Sequence, residues 1–492
     1  MAQQKPRLWL HLFDAESQPG LGLRERLCAT LRRAIRSGRL ALHERLPSSR
    51  VLAQDLSISR VTVEAAYAQL EVEGYLRRRV GEGSFVAVDM AAAVERPSPA
   101  PAPGSAPWGS RPATLSRRGQ RMVDSGGCLE PMRLQAFAAG SPDLRAFPHA
   151  LWRQLLNRRL RQDPAQYLRY GEPQGRADLR EAIAQYLVQS RGVRCAPEQV
   201  LVLTSSQQAL QLLATLLLDE GDVVWMEEPG YRGARTAFAT AGARLVNVAV
   251  DAEGMAPQPE LPTPRLIYLT PSHQYPTGHT LSLARRLALI DLAERCGAWI
   301  VEDDYDSEFQ YEGRATPALQ GLDRAGRVIY IGTFSKALFP SLRMAYSVLP
   351  PGLVAPLVTA RTVYDGHVAQ LNQAVTADFL VQGHFAAHLR WMRQLYRSRR
   401  DVLLDALHSQ LPWAQPMHSV GGLQVGVTLP LGSEAALTRQ AAARGIATPS
   451  LRALYQGDHK VDGWLLGFAA LQPDEIRAAV QTLAGLDPDK LL

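Results

Sequence analysis

Residues 328–336 read VIYIGTFSK. A short apolar run rich in β-branched and aromatic residues ends in a polar turn, so the pattern predicts a buried strand from Val328 to Gly332, with Lys336 emerging just past its carboxyl end. Ligands on open α/β sheets bind at that end of the strands. A lysine there can form a Schiff base with an aldehyde when a neighbouring cation or desolvation lowers its pKa. A Ser-Lys pair alone is only a surface lysine, so the rest of the chain has to decide.

Outward from this stretch, further strand-like runs span Gln199 to Leu203, Val223 to Met226, Leu266 to Thr270, Ala298 to Val301 and Met344 to Leu349. Segments of helical length and pattern, such as Gln207 to Leu218 and Leu283 to Cys296, lie between them. Such alternation predicts an α/β domain, a mostly parallel sheet with helices on both faces. At a second strand end, residues 299–305 read WIVEDDY, three acids and a phenol after an apolar run. An acid beside a pyridine nitrogen keeps it protonated and makes pyridoxal phosphate (PLP) an electron sink, while a phenol can hold the adjacent ring oxygen. At a third, residues 203–208 read LTSSQQ, a strand-to-helix turn whose unpaired N–H groups and dipole favour an anion. Arg343, seven residues past Lys336, can clamp the same phosphate. The four elements converge on one expected cofactor, PLP.

The first segment reads differently. Leu23, Leu27, Leu31 and Ile35 recur every four residues on one helical face that ends near Ser37-Gly38. Ser48 or Ser49 caps a second helix with Leu52, Ala53 and Leu56 inward, and Ser59 caps a third with Val63, Tyr67 and Leu70 inward, stopped by Gly74. Residues 75–80 and 84–88 then form two strand-like runs around Gly81-Glu82-Gly83. Three helices and a hairpin make a winged helix-turn-helix. In such a motif the N-terminal residues of the third helix, here Ser59, Arg60, Val61 and Thr62, face base edges in the major groove. Arg60 suits a guanine, Thr62 a base or phosphate and Arg50 a phosphate, while the wing-tip glycines Gly81 and Gly83 allow close backbone approach.

Charge supports this placement. Residues 1–88 hold fourteen Lys and Arg against nine Asp and Glu, while the remainder holds 40 against 38. The basic excess therefore sits where a nucleic-acid partner needs it. Residues 89–130, with six prolines between Pro97 and Pro112, are expected to form a semi-extended linker between domains at 1–88 and 131–492. Cys28, Cys128, Cys195 and Cys296 form neither a CxxC pair nor a Cys/His cluster, so reduced thiols and no metal site are expected. The absence of an apolar leader or of a run of eighteen apolar residues predicts a cytoplasmic protein with no membrane partner.

The string LPSSRVLAQDLSISRVTVEAAYAQLEVEGYLRRRVGEGSFVAV resembles the DNA-binding domain of the GntR family of bacterial regulators. That resemblance implies that Arg50, Ser59, Arg60, Thr62 and Gly81 touch promoter DNA and that two heads bind as a pair. From about Phe137 onward, the strings FAAGSPDLRAFP, YGEPQGRADLREAIAQYL, EEPGYRGAR, TPSHQYPTG, VEDDYDSEF and TFSKALFPSLRMAY resemble the fold-type I aminotransferases with their smaller C-terminal subdomain, and specifically the MocR/GabR group. This likeness implies Lys336 as the aldimine lysine, Asp303 on the pyridine nitrogen, Tyr305 on the ring oxygen and Tyr231 near the ring. It also implies a phosphate cup of Ser206, Gln207, Thr333, Ser335 and Arg343, and a homodimer.

Three departures from catalytic relatives stand out. Ser205 replaces a glycine before the phosphate turn, and Tyr275 replaces an asparagine that contacts the ring oxygen. Leu465 stands where an arginine grips the substrate's α-carboxylate. An apolar residue cannot replace that clamp. The leading expectation is therefore a transcription regulator that senses PLP, alone or joined to an amine or amino-acid-like effector. The alternative is a working PLP-dependent aminotransferase tethered to a DNA-binding domain.

Overall fold

The computed structural model describes residues 13, 22–79, 81–88, 114–127, 135–312 and 316–486, and the chain divides into two compact units, Met1–Thr114 and Leu115–Leu492. In the first, α1 (Leu23–Arg36), α2 (Ser49–Asp55) and α3 (Arg60–Val72) precede an antiparallel hairpin of β1 (Leu76–Arg79) and β2 (Gly83–Val86). Leu27, Leu31 and Ile35 of α1 bury against Leu52, Val63, Tyr67 and Leu70, and Leu76 and Val86 close the core from the hairpin. Leu23, expected on the same face, is half exposed because it opens the helix, one turn beyond the packed stripe. Ser48, not Ser49, caps α2 by accepting from Val51 N–H at 3.3 Å. Gly81 and Gly83 turn the wing tip at φ of +81° and +114°, where a side chain would be strained.

The expected linker is only partly within the described residues, since 89–113 and 128–130 lie outside them. The part that is described is not extended. It holds α4 (Arg117–Asp124), capped by Ser116, which accepts from Gly119 N–H at 3.0 Å. No proline follows Pro112 before residue 131, so nothing in this stretch opposes a helix. Arg121 pairs with Glu220 at 2.8 Å, and Arg232 donates to the Ser125 carbonyl at 3.2 Å, so α4 is bonded to the body of the second unit.

The second unit continues with α5 (His149–Gln162), α6 (Ala177–Arg191), β3 (Val200–Leu203), α7 (Ser206–Leu217), β4 (Val223–Glu228), α8 (Arg232–Ala241), β5 (Arg244–Asp251), β6 (Gly254–Met255), β7 (Leu266–Leu269), α9 (Leu283–Cys296), β8 (Trp299–Asp304) and β9 (Val328–Thr333). A short helical turn, Phe334–Ala337, leads to β10 (Ala345–Val348) and α10 (Pro351–Tyr364). These strands form an eight-stranded sheet in the order β3-β10-β9-β8-β7-β4-β5-β6, parallel from β9 through β5. The strand β10 runs antiparallel between β3 and β9.

Successive side chains point to opposite faces. Leu201, Leu203, Ile329 and Ile331 pack under α7, α8 and α10, whereas Val200, Val202 and Tyr330 pack with Leu179, Ile183 and Leu187 of α6. Each such side chain removed from water contributes about 1.5–3 kcal/mol. Helices therefore cover both faces, which is why the strands read as continuous apolar runs. The strand β5 lacks such a run and escapes a reading based on one; its exposed and half-buried residues alternate irregularly.

The chain ends with α11 (Gln370–Val381), the 27-residue α12 (His384–Gln410), β11 (Gln415–Pro416), β12 (Gln424–Thr428), α13 (Glu434–Ala443), β13 (Gly463–Gly467) and α14 (Pro473–Ala484). The three strands form a separate antiparallel sheet, the smaller C-terminal subdomain. Among the described residues no helix is long and apolar enough to cross a membrane.

A buried ion pair fastens the segment before α5 to this subdomain. Arg399 of α12 donates to Asp143 at 2.7 Å and to the Ala469 carbonyl, and both charged side chains are almost wholly buried. Removing one partner strands the other charge in low dielectric, a loss of about 3–5 kcal/mol. Asp143→Ala is thus expected to lower the unfolding free energy of the full chain by about that amount in denaturant titration. A loss below about 1 kcal/mol, the range of surface pairs, contradicts this account.

Candidate functional site

A cavity of about 780 Å³ opens beyond the carboxyl ends of the sheet's parallel strands. At the end of β8 three acids occupy three different settings. Glu302 is buried and accepts from Leu319 and Gln320 N–H, both at 2.8 Å. Asp304 accepts from Arg191 at 2.9 Å and from the Tyr330 hydroxyl at 2.6 Å, on the side away from the cavity. Asp303 faces the cavity, with Oδ2 accepting from the Tyr268 hydroxyl at 2.7 Å and Oδ1 buried without a partner among the described residues. Burial pushes the Asp303 carboxyl up to about 7; the Tyr268 hydrogen bond opposes the rise, and the charges of Asp304 and Asp306 add to it.

Tyr305, two residues on, shares the cavity face. Its hydroxyl lies 3.1 Å from His273 Nδ1, which in turn lies 3.0 Å from Asp306. Burial depresses the His273 pKa, but the Asp306 charge and hydrogen bond outweigh it, and the net shift is upward.

Opposite, Ser206 and Gln207 open α7. Ser205 is extended (φ −167°), a conformation open to any residue, and its hydroxyl accepts from Gln208 N–H at 3.1 Å. The serine in place of a glycine therefore costs no backbone strain and adds a helix cap. Thr333 accepts from Ser335 N–H at 3.1 Å, shaping the turn that presents half-buried Lys336. Arg343 sits on the rim in the left-handed region (φ +50°). All nine residues singled out for the cofactor, Lys336, Asp303, Tyr305, Tyr231, Ser206, Gln207, Thr333, Ser335 and Arg343, line this one cavity.

Other lining residues escaped the sequence reading. Tyr268 and Thr270 come from β7 and the residue just past it, two apart on the face that Asp303 shares, and the strand-end rule applied to β7 would have found them. Gly140 (φ +70°) passes so close to the lysine that a Cβ there would lie 2.9 Å from Lys336 Nζ. Gln424 arrives from β12, and Tyr364 and Asp365 from the end of α10. These come from distant segments, and no local pattern announces them.

Tyr275 lies edge-on between Tyr231 and Tyr305, with ring centroids 5.8 and 6.0 Å away. Leu465 is buried in β13 with Leu451 and Leu454, and Tyr275, Ala139, Met417 and Tyr455 pack against them.

In the other unit, Arg60 and Val61 open α3, Val61 being 78% exposed. Arg50 and Arg60 are exposed and have no ion-pair partner among the described residues, whereas Arg78 is taken up by Glu64 and Glu71. The Ser59 hydroxyl accepts from Thr62 N–H at 3.1 Å and lies 2.7 Å from Thr62 Oγ1. Gly81 is exposed at the wing tip.

Residues 137–483 match the family described as Aminotransferase class I and II, and residues 23–86 match Bacterial regulatory proteins, gntR family. The chain is 40% identical to the probable rhizopine catabolism regulatory protein MocR of Rhizobium meliloti, over 94% of this chain and 93% of that protein. It is 29% identical to the HTH-type pyridoxine biosynthesis transcriptional regulator PdxR of Corynebacterium glutamicum, over 92% and 93%. Among solved structures, LysN, the α-aminoadipate aminotransferase of Thermus thermophilus complexed with N-(5'-phosphopyridoxyl)-L-leucine, is similar with a TM-score of 0.66 and 31% identity, covering 75% of this chain and 94% of that one.

A carboxyl held near 7 when folded and near 3.9 when unfolded keeps its proton longer in the folded chain. Between those values the folded state binds more protons, so stability falls as pH rises through about 4 to 7, by at most about 1.4 kcal/mol per unit for this one group. In the cofactor-free protein, Asp303→Asn is expected to lose less stability than the parent across that window, measured by chemical denaturation at each pH. Buried Glu227, Glu302 and Glu308 keep their own share of the fall. Equal slopes for parent and variant would rule out a raised Asp303.

Proposed function

The chain belongs to the MocR-type regulators, a gntR-family head joined to an aminotransferase class I and II domain, and on that premise we propose that it is a transcription regulator that binds promoter DNA through its winged helix and senses PLP held on Lys336. The observation that carries the cofactor reading is the buried, partnerless Asp303 Oδ1 at the cavity wall. An orphaned acceptor in low dielectric needs a donor, and the ring nitrogen of PLP, when protonated, is one.

When bound, PLP supplies an electron-poor ring and an aldehyde that accepts an amine. The chain's residues supply the rest. Asp303 holds the proton at the ring nitrogen, Tyr305 takes the ring oxygen, and Tyr231 packs near the ring. Ser206 and Gln207, with N–H groups in the first turn of α7, hold the phosphate together with Thr333, Ser335 and Arg343. Gly140 leaves the space that the end of Lys336 occupies. LysN, whose solved structure contains a phosphopyridoxyl adduct, supports the same occupant here.

Arg60 and Thr62 read bases or phosphates, while Arg50, Ser59 and the Gly81 backbone hold the duplex. The protein acts as a homodimer in this reading. Leu168, Tyr170, Val363 and Tyr364 are large exposed residues, Tyr170 packs edge-on to His367, and Tyr364 also lines the cavity. Large exposed side chains, one of them at the cavity, suit burial against a second copy. Leu465 supports a receptor over an amino-acid aminotransferase, because no cation stands there to grip an α-carboxylate. A ligand then acts by binding the two arrangements of paired heads with different affinity.

The test joins both units. Full-length protein loaded with PLP is expected to show the cofactor's visible band and to keep the label after borohydride reduction, while Lys336→Ala keeps neither. Arg60→Ala is expected to weaken promoter binding at matched salt by about 1–3 kcal/mol. A label retained by Lys336→Ala, or promoter affinity unchanged in Arg60→Ala, refutes the corresponding half of the proposal.

A further inference from the structure

Of the residues that line the cavity, Lys336 and Arg343 are the cations. In the reading above, which this inference rests on, the first carries the cofactor and the second faces its phosphate. What remains beside them carries no positive charge, and two acids, Asp303 and Asp365, line the same cavity. Behind Tyr275 and Ala139, which both line the cavity, stands the buried trio Leu451, Leu454 and Leu465. Arg452 is the arginine nearest this wall in the chain, yet its guanidinium is turned to Asp462 at 3.0 Å. Gln424, buried and close to Gly140, offers an uncharged amide on the same side.

A carboxylate placed against such a wall loses its water and gains no cation, a desolvation that aliphatic carbons cannot offset. An aromatic or aliphatic group placed there loses only unfavourable contact with water. The ring of Tyr275, edge-on to those of both Tyr231 and Tyr305, gives an aromatic body an edge or face to meet.

We propose that the effector recognised at this cavity is a primary amine with an apolar body and no carboxylate on its reacting carbon. With PLP held on Lys336, such an amine would displace the lysine from the cofactor's aldehyde carbon, one C=N bond replacing the other, and Lys336 would take the two amine protons and leave as a free amine. No oxidant, reductant or water is consumed. The wall of Leu465 thus sets the ligand class by rejecting amino acids.

The experiment uses the full-length chain loaded with PLP and two probes that differ only in the carboxylate, phenethylamine and phenylalanine. Each is titrated while the cofactor's visible band and binding to a promoter fragment are followed, and each is corrected for its affinity for PLP in solution. Phenethylamine is expected to half-saturate the protein at a concentration at least about tenfold lower than phenylalanine, a floor well below the full effect of one unpaired buried charge. Leu465→Arg is expected to move that ratio about tenfold toward phenylalanine. Phenylalanine binding as well as or better than phenethylamine in the parent chain overturns the proposal, and so does a band that neither probe alters. A protein that never shows the band after PLP loading fails at the earlier step, and the cofactor reading falls with this one.

Discussion

Adjacent side chains on a strand cannot face the same side, and at the end of β8 that constraint organises the large domain. Asp304 goes to Arg191, which also donates to Ser272, and to Tyr330, so one buried carboxylate ties α6, β8 and β9 together behind the cavity. The residues on either side of it are thereby sent the other way. Asp303 and Tyr305 reach the cavity as a consequence of the same alternation. The price is electrostatic: a carboxyl packed among acids with one unsatisfied oxygen, raised to about 7. Asp304 Oδ1 is likewise buried without a partner among the described residues, but Asp303 is the one that lines the cavity, where a ligand can complete it.

Much of this was legible in the sequence because the decisive signals are local. Apolar runs mark strands buried on both faces, and polar turns after them mark where a ligand meets the sheet. VIYIGTFSK and WIVEDDY therefore expose both the elements and the residues at their ends. The winged head was legible for the same reason, since its caps and inward stripes repeat within a few residues. The choice of Asp303 over Asp304 follows from the strand's period of two once the position of Tyr305 is known.

What escaped was set by distance or by the lack of a run. Gly140 meets Lys336 and Gln424 only through tertiary structure. Asp143 finds its partner 256 residues away on α12. The antiparallel course of β10 is a topological fact with no composition of its own. The strand β5 is half solvated, and α4 lies at the edge of a stretch whose prolines, all before residue 113, coloured the reading of residues that have none. Leu465 was visible as a departure, but its setting among Leu451, Leu454 and Tyr275 was not.

The cap at the start of α3 bears on the thermodynamics of DNA recognition. Because Ser59 already holds Thr62, the first turn of the reading helix is ordered before any duplex arrives. The conformational entropy of that turn is lost on folding and is not lost again on binding. In the proposed reading the head therefore meets the groove preorganised, and the exposed Arg60 side chain is left to be ordered on binding.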